Sequence, residues 1–191
     1  MSVPAKAEPH GDEKWALLEY LEVQRTGLRL AAHGLTEEQA TSTPSASELS
    51  VAGVIKHAAW GEKGWVVRMR GERQRSFQDQ MQDWENSFRL LEGETVASVL
   101  EFWDEVRRET EEAVRAVPSL NDTFDNPAVP WDPEGGPRSW RWGLLHLLEE
   151  FARHAGHADV IRETIDSKIS HDLEIESGAL PEPDWTLLQQ S

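Results

Sequence analysis

Apolar residues recur along this chain at intervals of three and four, the period of an α-helix, and no stretch reads convincingly as a strand. Four long segments carry the pattern. The first runs from about Asp12 to His33, with Leu17, Leu21, Leu28 and Ala32 on one stripe and Gly34 placed to stop it. The second starts with Ser50 as its cap and ends at Gly71, with Val54, His57, Ala58, Gly61 and Trp65 on one face. The third is the cleanest, with Val96, Val99, Trp103, Val106, Thr110, Ala113 and Val117 in register and Pro118 ending it. Its opposite face carries Glu105, Arg107, Arg108, Glu109, Glu111 and Glu112, a solvated surface. The fourth extends from about Ser139 to Ser167. Thr36-Glu-Glu-Gln39 has capping-box spacing for a short turn, and residues 72–93 are mixed, with a helical turn around Met81–Leu90.

What lies between the segments completes the outline. Residues 118–139 hold five prolines, Gly135-Gly136, Phe124 and Trp131, and a loop of that length in a compact domain is usually functional or disordered. The pattern predicts an all-α four-helix bundle over 12–167 with this long loop before its fourth helix, a flexible leader at 1–11 and an acidic tail at 168–191. Within the tail, Trp185-Thr-Leu-Leu188 could dock on the body or on a partner.

Composition narrows the function. The 191 residues suffice for one packed core, and there is no cysteine, which excludes disulfides, zinc–thiolate knots and a cysteine nucleophile. Lys plus Arg number 19 against 35 acidic residues, a formal charge of −16 that repels nucleic acid and anionic membranes. No run approaches the ~20 apolar residues of a membrane span, and the polar N-terminus lacks a secretory apolar core, so a cytoplasmic location is the expectation. Nine tryptophans against one tyrosine read as core filler and interface anchors, or as the walls of an apolar ligand pocket. The surplus also suggests a homodimer.

Candidate chemistry concentrates in His146-Leu-Leu-Glu-Glu150-Phe-Ala-Arg-His154-Ala-Gly-His157. Four residues apart on a helix, Glu150 and His154 project from one side and can share a divalent ion. His57, in the middle of the second segment among Val54, Ala58 and Ala59, is the candidate third ligand, because bundle cores assemble metal sites from facing helices. Three protein ligands leave positions open for water or substrate, as a catalytic ion requires. The plainer readings stand beside this one. A histidine on an apolar helix face is commonly a satisfied core residue, and a Glu-x-x-x-His pair commonly a helix-stabilising contact.

The chain resembles the DinB-like superfamily of metal-binding four-helix bundles, in its actinobacterial branch of mycothiol-dependent enzymes. The resemblance runs from about Trp15 to Asp166. It rests on Leu49-Ser-Val-Ala-Gly-Val-Ile-Lys-His57-Ala-Ala-Trp-Gly-Glu62 and on the block from Ser139 through Glu150, His154, His157, Asp159 and Arg162 to Asp166. It implies a metal held by a histidine of the second helix and two residues four apart on the fourth. The Glu-x-x-x-His form is that of mycothiol-dependent maleylpyruvate isomerase, so the implied ligands are His57, Glu150 and His154. Position 158, where a further histidine would fall, is Ala158. Zinc is the implied ion, with nickel also suited to imidazole and carboxylate. The implied activity is a thiol-dependent transferase or isomerase acting on a small-molecule substrate, with a low-molecular-weight thiol as cosubstrate. A cysteine-free chain fits it, since the nucleophilic sulfur arrives with the cosubstrate.

On this reading His157 is a support beside the metal, a substitute ligand or a proton-transfer group, Asp159 is an acid–base group or support, Arg162 meets an anionic substrate, and Trp131 and Trp140 furnish an apolar wall in a rim built by 118–139. Two further readings stay open. One is a metal-binding module without turnover; the other is an interaction protein whose histidines merely pack. The environment of Glu150 separates them, because a buried carboxylate needs a cation, supplied either by a metal or by Arg153 turned inward.

Overall fold

The computed structural model describes residues 11–130 and 132–181. Its helices are α1 (Glu13–Ala31), α2 (Glu37–Thr41), α3 (Val51–Met69), α4 (Phe77–Ser87), α5 (Val96–Ala116), α6 (Trp140–Asp166) and α7 (Ser170–Glu176). The four long ones are α1, α3, α5 and α6, as the periodicity predicts, and the architecture is an all-α, DinB-like bundle. Cap chemistry sets their ends. Asp12, Ser50, Thr95 and Ser139 each accept a hydrogen bond from a backbone N–H of the first turn. Thr36 and Gln39 form the capping box that opens α2.

Two elements differ from the expected pattern. The 118–139 loop is not free of strands, because β1 (Thr123–Asn126) pairs antiparallel with β2 (Gly136–Ser139), Phe124 opposite Arg138. Four-residue strands rich in Asp, Asn, Pro and Gly carry no alternating signal long enough to read. The acidic tail contains α7, anchored by the fully buried Leu173 and packed on α1. Trp131, the leader through His10 and the Trp185–Leu188 stretch lie outside the described residues.

The helices close a ring in which α1 packs most extensively on α6, α6 on α3, and α3 on α5. Leu21 and Leu28 of α1, Val54, Ile55 and Ala58 of α3, Val99, Trp103 and Val106 of α5, and Leu144, Leu147 and Phe151 of α6 fill the centre. An ion pair crosses this apolar core. Glu62 accepts from Arg25 Nε at 3.1 Å and Arg25 Nη2 at 2.5 Å, from Trp103 Nε1 at 2.7 Å and from Thr110 Oγ1 at 2.6 Å. Arg25, Glu62, Trp103 and Thr110 are all fully buried. The pair ties α1, α3 and α5 together at one level of the bundle. No helix of the described residues is long and apolar enough to cross a membrane.

Candidate metal centre

His57, Glu150 and His154 converge. One donor atom from each lies within 4.8 Å of the others, bringing α3 and α6 to a common point. The helical spacing of Glu150 and His154 puts them on the inward edge of α6, and the two imidazoles meet edge to face with ring centres 4.8 Å apart. Glu150 Oε2 is 3.6 Å from His154 Nε2, too long for a hydrogen bond. His154 Nδ1 is buried and has no partner. A buried imidazole nitrogen without a hydrogen-bond partner is uncommon in a satisfied core.

The other histidine is held differently. Ser87, at the end of α4, donates its hydroxyl proton to the Trp84 carbonyl at 2.6 Å. Its oxygen therefore accepts from His57 Nδ1, 2.8 Å away. With the proton fixed on Nδ1, the lone pair of His57 resides on Nε2, free to ligate. Phe88 stacks on the same ring at 4.1 Å and 15°. Gly53, one turn before His57, makes this clamp feasible, since a Cβ there would stand 2.0 Å from the Phe88 carbonyl oxygen. Beyond Phe88 opens a cleft of about 600 Å³ lined by Glu48, Leu49, Trp84, Glu85, Phe88 and Arg89.

Electrostatics keep the two imidazoles in the neutral form. Burial pushes the His57 imidazolium down to about 4, with the charge of His154 adding to it. Burial also lowers His154, against the opposing pull of Glu150. Both rings are neutral at physiological pH, as metal ligands must be. Arg153 does not turn inward; it pairs with Glu149 at 3.5 Å on the exposed side of α6. Glu150 is only part-buried, so the cost of an uncompensated carboxylate is smaller than a sealed interior would impose. The donor set of two neutral imidazoles and one carboxylate fits a divalent ion such as zinc.

The remaining predicted residues are dispersed. His157 is exposed, with its ring centre 5.8 Å from that of His154. Asp159 lies half-buried on another side of α6, its carboxyl pushed up by burial and then by Glu163 and Glu174. Arg162 is held by its own chain. Two turns beyond His154 and buried, it is engaged by Asp166 at 2.8 and 2.9 Å and by the carbonyls of Ala31 and His33 at 3.0 and 2.7 Å, so it staples α6 to the end of α1. Trp140 is likewise a core residue rather than a wall, 7% exposed.

The aromatic surface near the centre belongs instead to Trp65 and Trp142. They enclose His146, one turn before Glu150, at ring distances of 4.7 and 5.1 Å. Trp65 was legible from the His57 face of α3. Ser87 was not, because its segment has no clean period; the four-residue spacing of Trp84 and Phe88 was the only hint.

Comparisons with known proteins bear on the family and the fold. The family model described as mycothiol-S-transferase matches residues 16–167. No curated protein matches the chain. Among solved structures, one described as the conserved protein of locus from Enterococcus faecalis superposes with a TM-score of 0.62 at 12% identity, covering 83% of this chain and all of that one. At that identity the likeness concerns the fold.

Proposed function

The chain belongs to the mycothiol-S-transferase family, and from that premise we propose that it is a metal-dependent thiol S-transferase or isomerase whose ligands are His57, Glu150 and His154. The observation that carries this reading is that one donor atom from each of the three residues lies within 4.8 Å of the others, beside a buried His154 Nδ1 that has no hydrogen-bond partner. A divalent cation held there, zinc by ligand type and nickel as the alternative, supplies positive charge that favours the ionised form of a small-molecule thiol. The chain's own residues do the rest. Ser87 and Phe88 fix the His57 ring, so one ligand is oriented before anything binds. Trp65, Trp142 and His146 provide a stacking surface beside the centre. His157, exposed next to His154, is placed to carry a proton between solvent and the reacting groups. Mycothiol is the thiol that the family indicates, and the electrophile is a small molecule. The same reading takes the protein to be a cytoplasmic homodimer.

The test is conjugation. Zinc-restored protein is assayed with mycothiol, glutathione and bacillithiol against a panel of electrophiles. Turnover with one of these thiols, lost in His154→Ala, supports the proposal. Ligand-induced thermal stabilisation without turnover identifies a binding module instead.

A further inference from the structure

On α3, His57, Gly61, Gly64 and Arg68 fall at i, i+4, i+7 and i+11, one stripe of the helix. A Cβ added at Gly61 or Gly64 would meet no atom within 4 Å, so the backbone between the metal centre and Arg68 is bare and open. At 1.5 Å per residue the stripe is about 16 Å long. Along one flank stand Trp65, Trp142 and His146, in mutual ring contact at 4.7 to 5.5 Å.

Arg68, at the far end, is the unusual residue. Its guanidinium lies over the Trp65 ring, 4.8 Å from the centroid. It donates only to neutral amide oxygens, Asn126 Oδ1 at 3.1 Å and Gln80 Oε1 at 3.3 Å. Its Nε is buried with no partner, and among the described residues no carboxylate pairs with it. Asp132, which reaches it only through Asn126, is bonded to Arg138 at 3.0 Å. Burial accordingly pushes the Arg68 guanidinium down, with no acid to offset it. In a chain with 35 acidic residues against 19 basic ones, a part-buried arginine without a counter-ion is conspicuous. Two of its five N–H groups are used, so a planar oxyanion can still be received.

We propose that Arg68 is an oxyanion subsite, taking the carboxylate of an elongated substrate whose reacting end lies at His57, Glu150 and His154 and whose middle rests on Trp65 and Trp142. This rests on the metal-dependent transferase reading. Mycothiol itself carries no carboxylate, so with that thiol the carboxylate belongs to the electrophile; a carboxylate-bearing thiol such as glutathione or bacillithiol is the other source of the same chemistry.

Binding to the zinc-loaded full chain, followed by tryptophan fluorescence and calorimetry, separates them. In the thiol arm glutathione is compared with its diethyl ester; in the other, 6-phenylhexanoate with 6-phenylhexanamide. Wild type should bind the acid about 10–100-fold more tightly than its neutral counterpart in at least one arm, as a charge-assisted hydrogen bond to a partly shielded group implies. Arg68→Gln should abolish that preference at unchanged zinc stoichiometry, and Arg68→Lys should retain part of it. A fold defect alone would weaken both members of a pair equally. Gly61→Leu, which fills the open floor, should weaken acid and neutral probes together. No acid preference in either arm, or a preference that survives Arg68→Gln, overturns the subsite. Wild type that fails to retain zinc in the same samples overturns the metal reading instead.

Discussion

Replacing Glu62 by alanine removes the acceptor of four hydrogen bonds from the middle of the bundle. The Arg25 guanidinium, fully buried, is then left with the part-buried Glu22 at 3.0 Å as its remaining acid. Thr110 can fall back on the Val106 carbonyl at 3.0 Å, whereas the Trp103 indole N–H has no substitute. A buried charge stripped of its main partner costs up to about 3–5 kcal/mol, and an orphaned neutral donor about 1–3 kcal/mol, partly the same penalty counted from the other side. The expected loss is therefore about 3–5 kcal/mol out of a typical 5–15 kcal/mol. For a domain of this size that is a fall in melting temperature of about 6–20 °C.

Urea and thermal unfolding followed by circular dichroism read this directly. The double variant Arg25→Leu/Glu62→Leu should recover most of the loss, because a matched apolar replacement of a buried pair is often neutral. Burial raises the Glu62 carboxyl, but the Arg25 charge and the hydrogen bonds from Arg25, Thr110 and Trp103 outweigh it, and the net shift is downward. A depressed carboxyl stabilises the fold above its unfolded-state value, and that stability is lost as pH falls through the folded value. The gap between wild type and Glu62→Ala should thus be flat from pH 7 to about 5 and narrow only below about pH 4. A single-variant cost below about 1 kcal/mol, or a double variant as damaged as the sum of the singles, would refute the account of the core.

Other outcomes follow from the site. Ser87→Ala should lower zinc affinity about 10–100-fold, the usual cost of losing a hydrogen-bond partner of a ligand; ring nitrogen shifts of His57 in the metal-free protein should also show the Nδ1–H tautomer giving way to a mixture. Gly53→Ala should displace the end of α4, because its methyl group meets the Phe88 carbonyl, costing about 1–3 kcal/mol in chemical denaturation and weakening zinc as well. His157→Gln should keep a full complement of metal while turnover falls, checked by elemental analysis and thiol conjugation on the same preparation.

The bundle was readable because its four long helices carry clean three-and-four periodicity and punctuating residues: Ser50 as a cap, Gly71 and Pro118 as stops. The closeness of His57, Glu150 and His154 was readable for the same reason, since two of them lie one turn apart on α6 and the third sits on the apolar face of α3. The hairpin in the 118–139 loop was hidden by strands of only four residues. The contacts of Arg162 were not legible because sequence shows a cation two turns from His154, while burial against the α1 carbonyls depends on how α6 packs. The Glu62 pair was equally hidden. Arg25 and Glu62 stand 37 residues apart, and each looks in isolation like an ordinary surface charge.

The central claim is that His57, Glu150 and His154 hold one divalent ion. Elemental analysis of untagged protein, compared with His57→Ala and Glu150→Ala at equal folded fraction, tests it most directly. The account predicts close to one zinc or nickel per chain in the wild type and near-complete loss in either variant. Metal-free wild type that takes up none on reconstitution, or an ion that persists in His57→Ala, would contradict it.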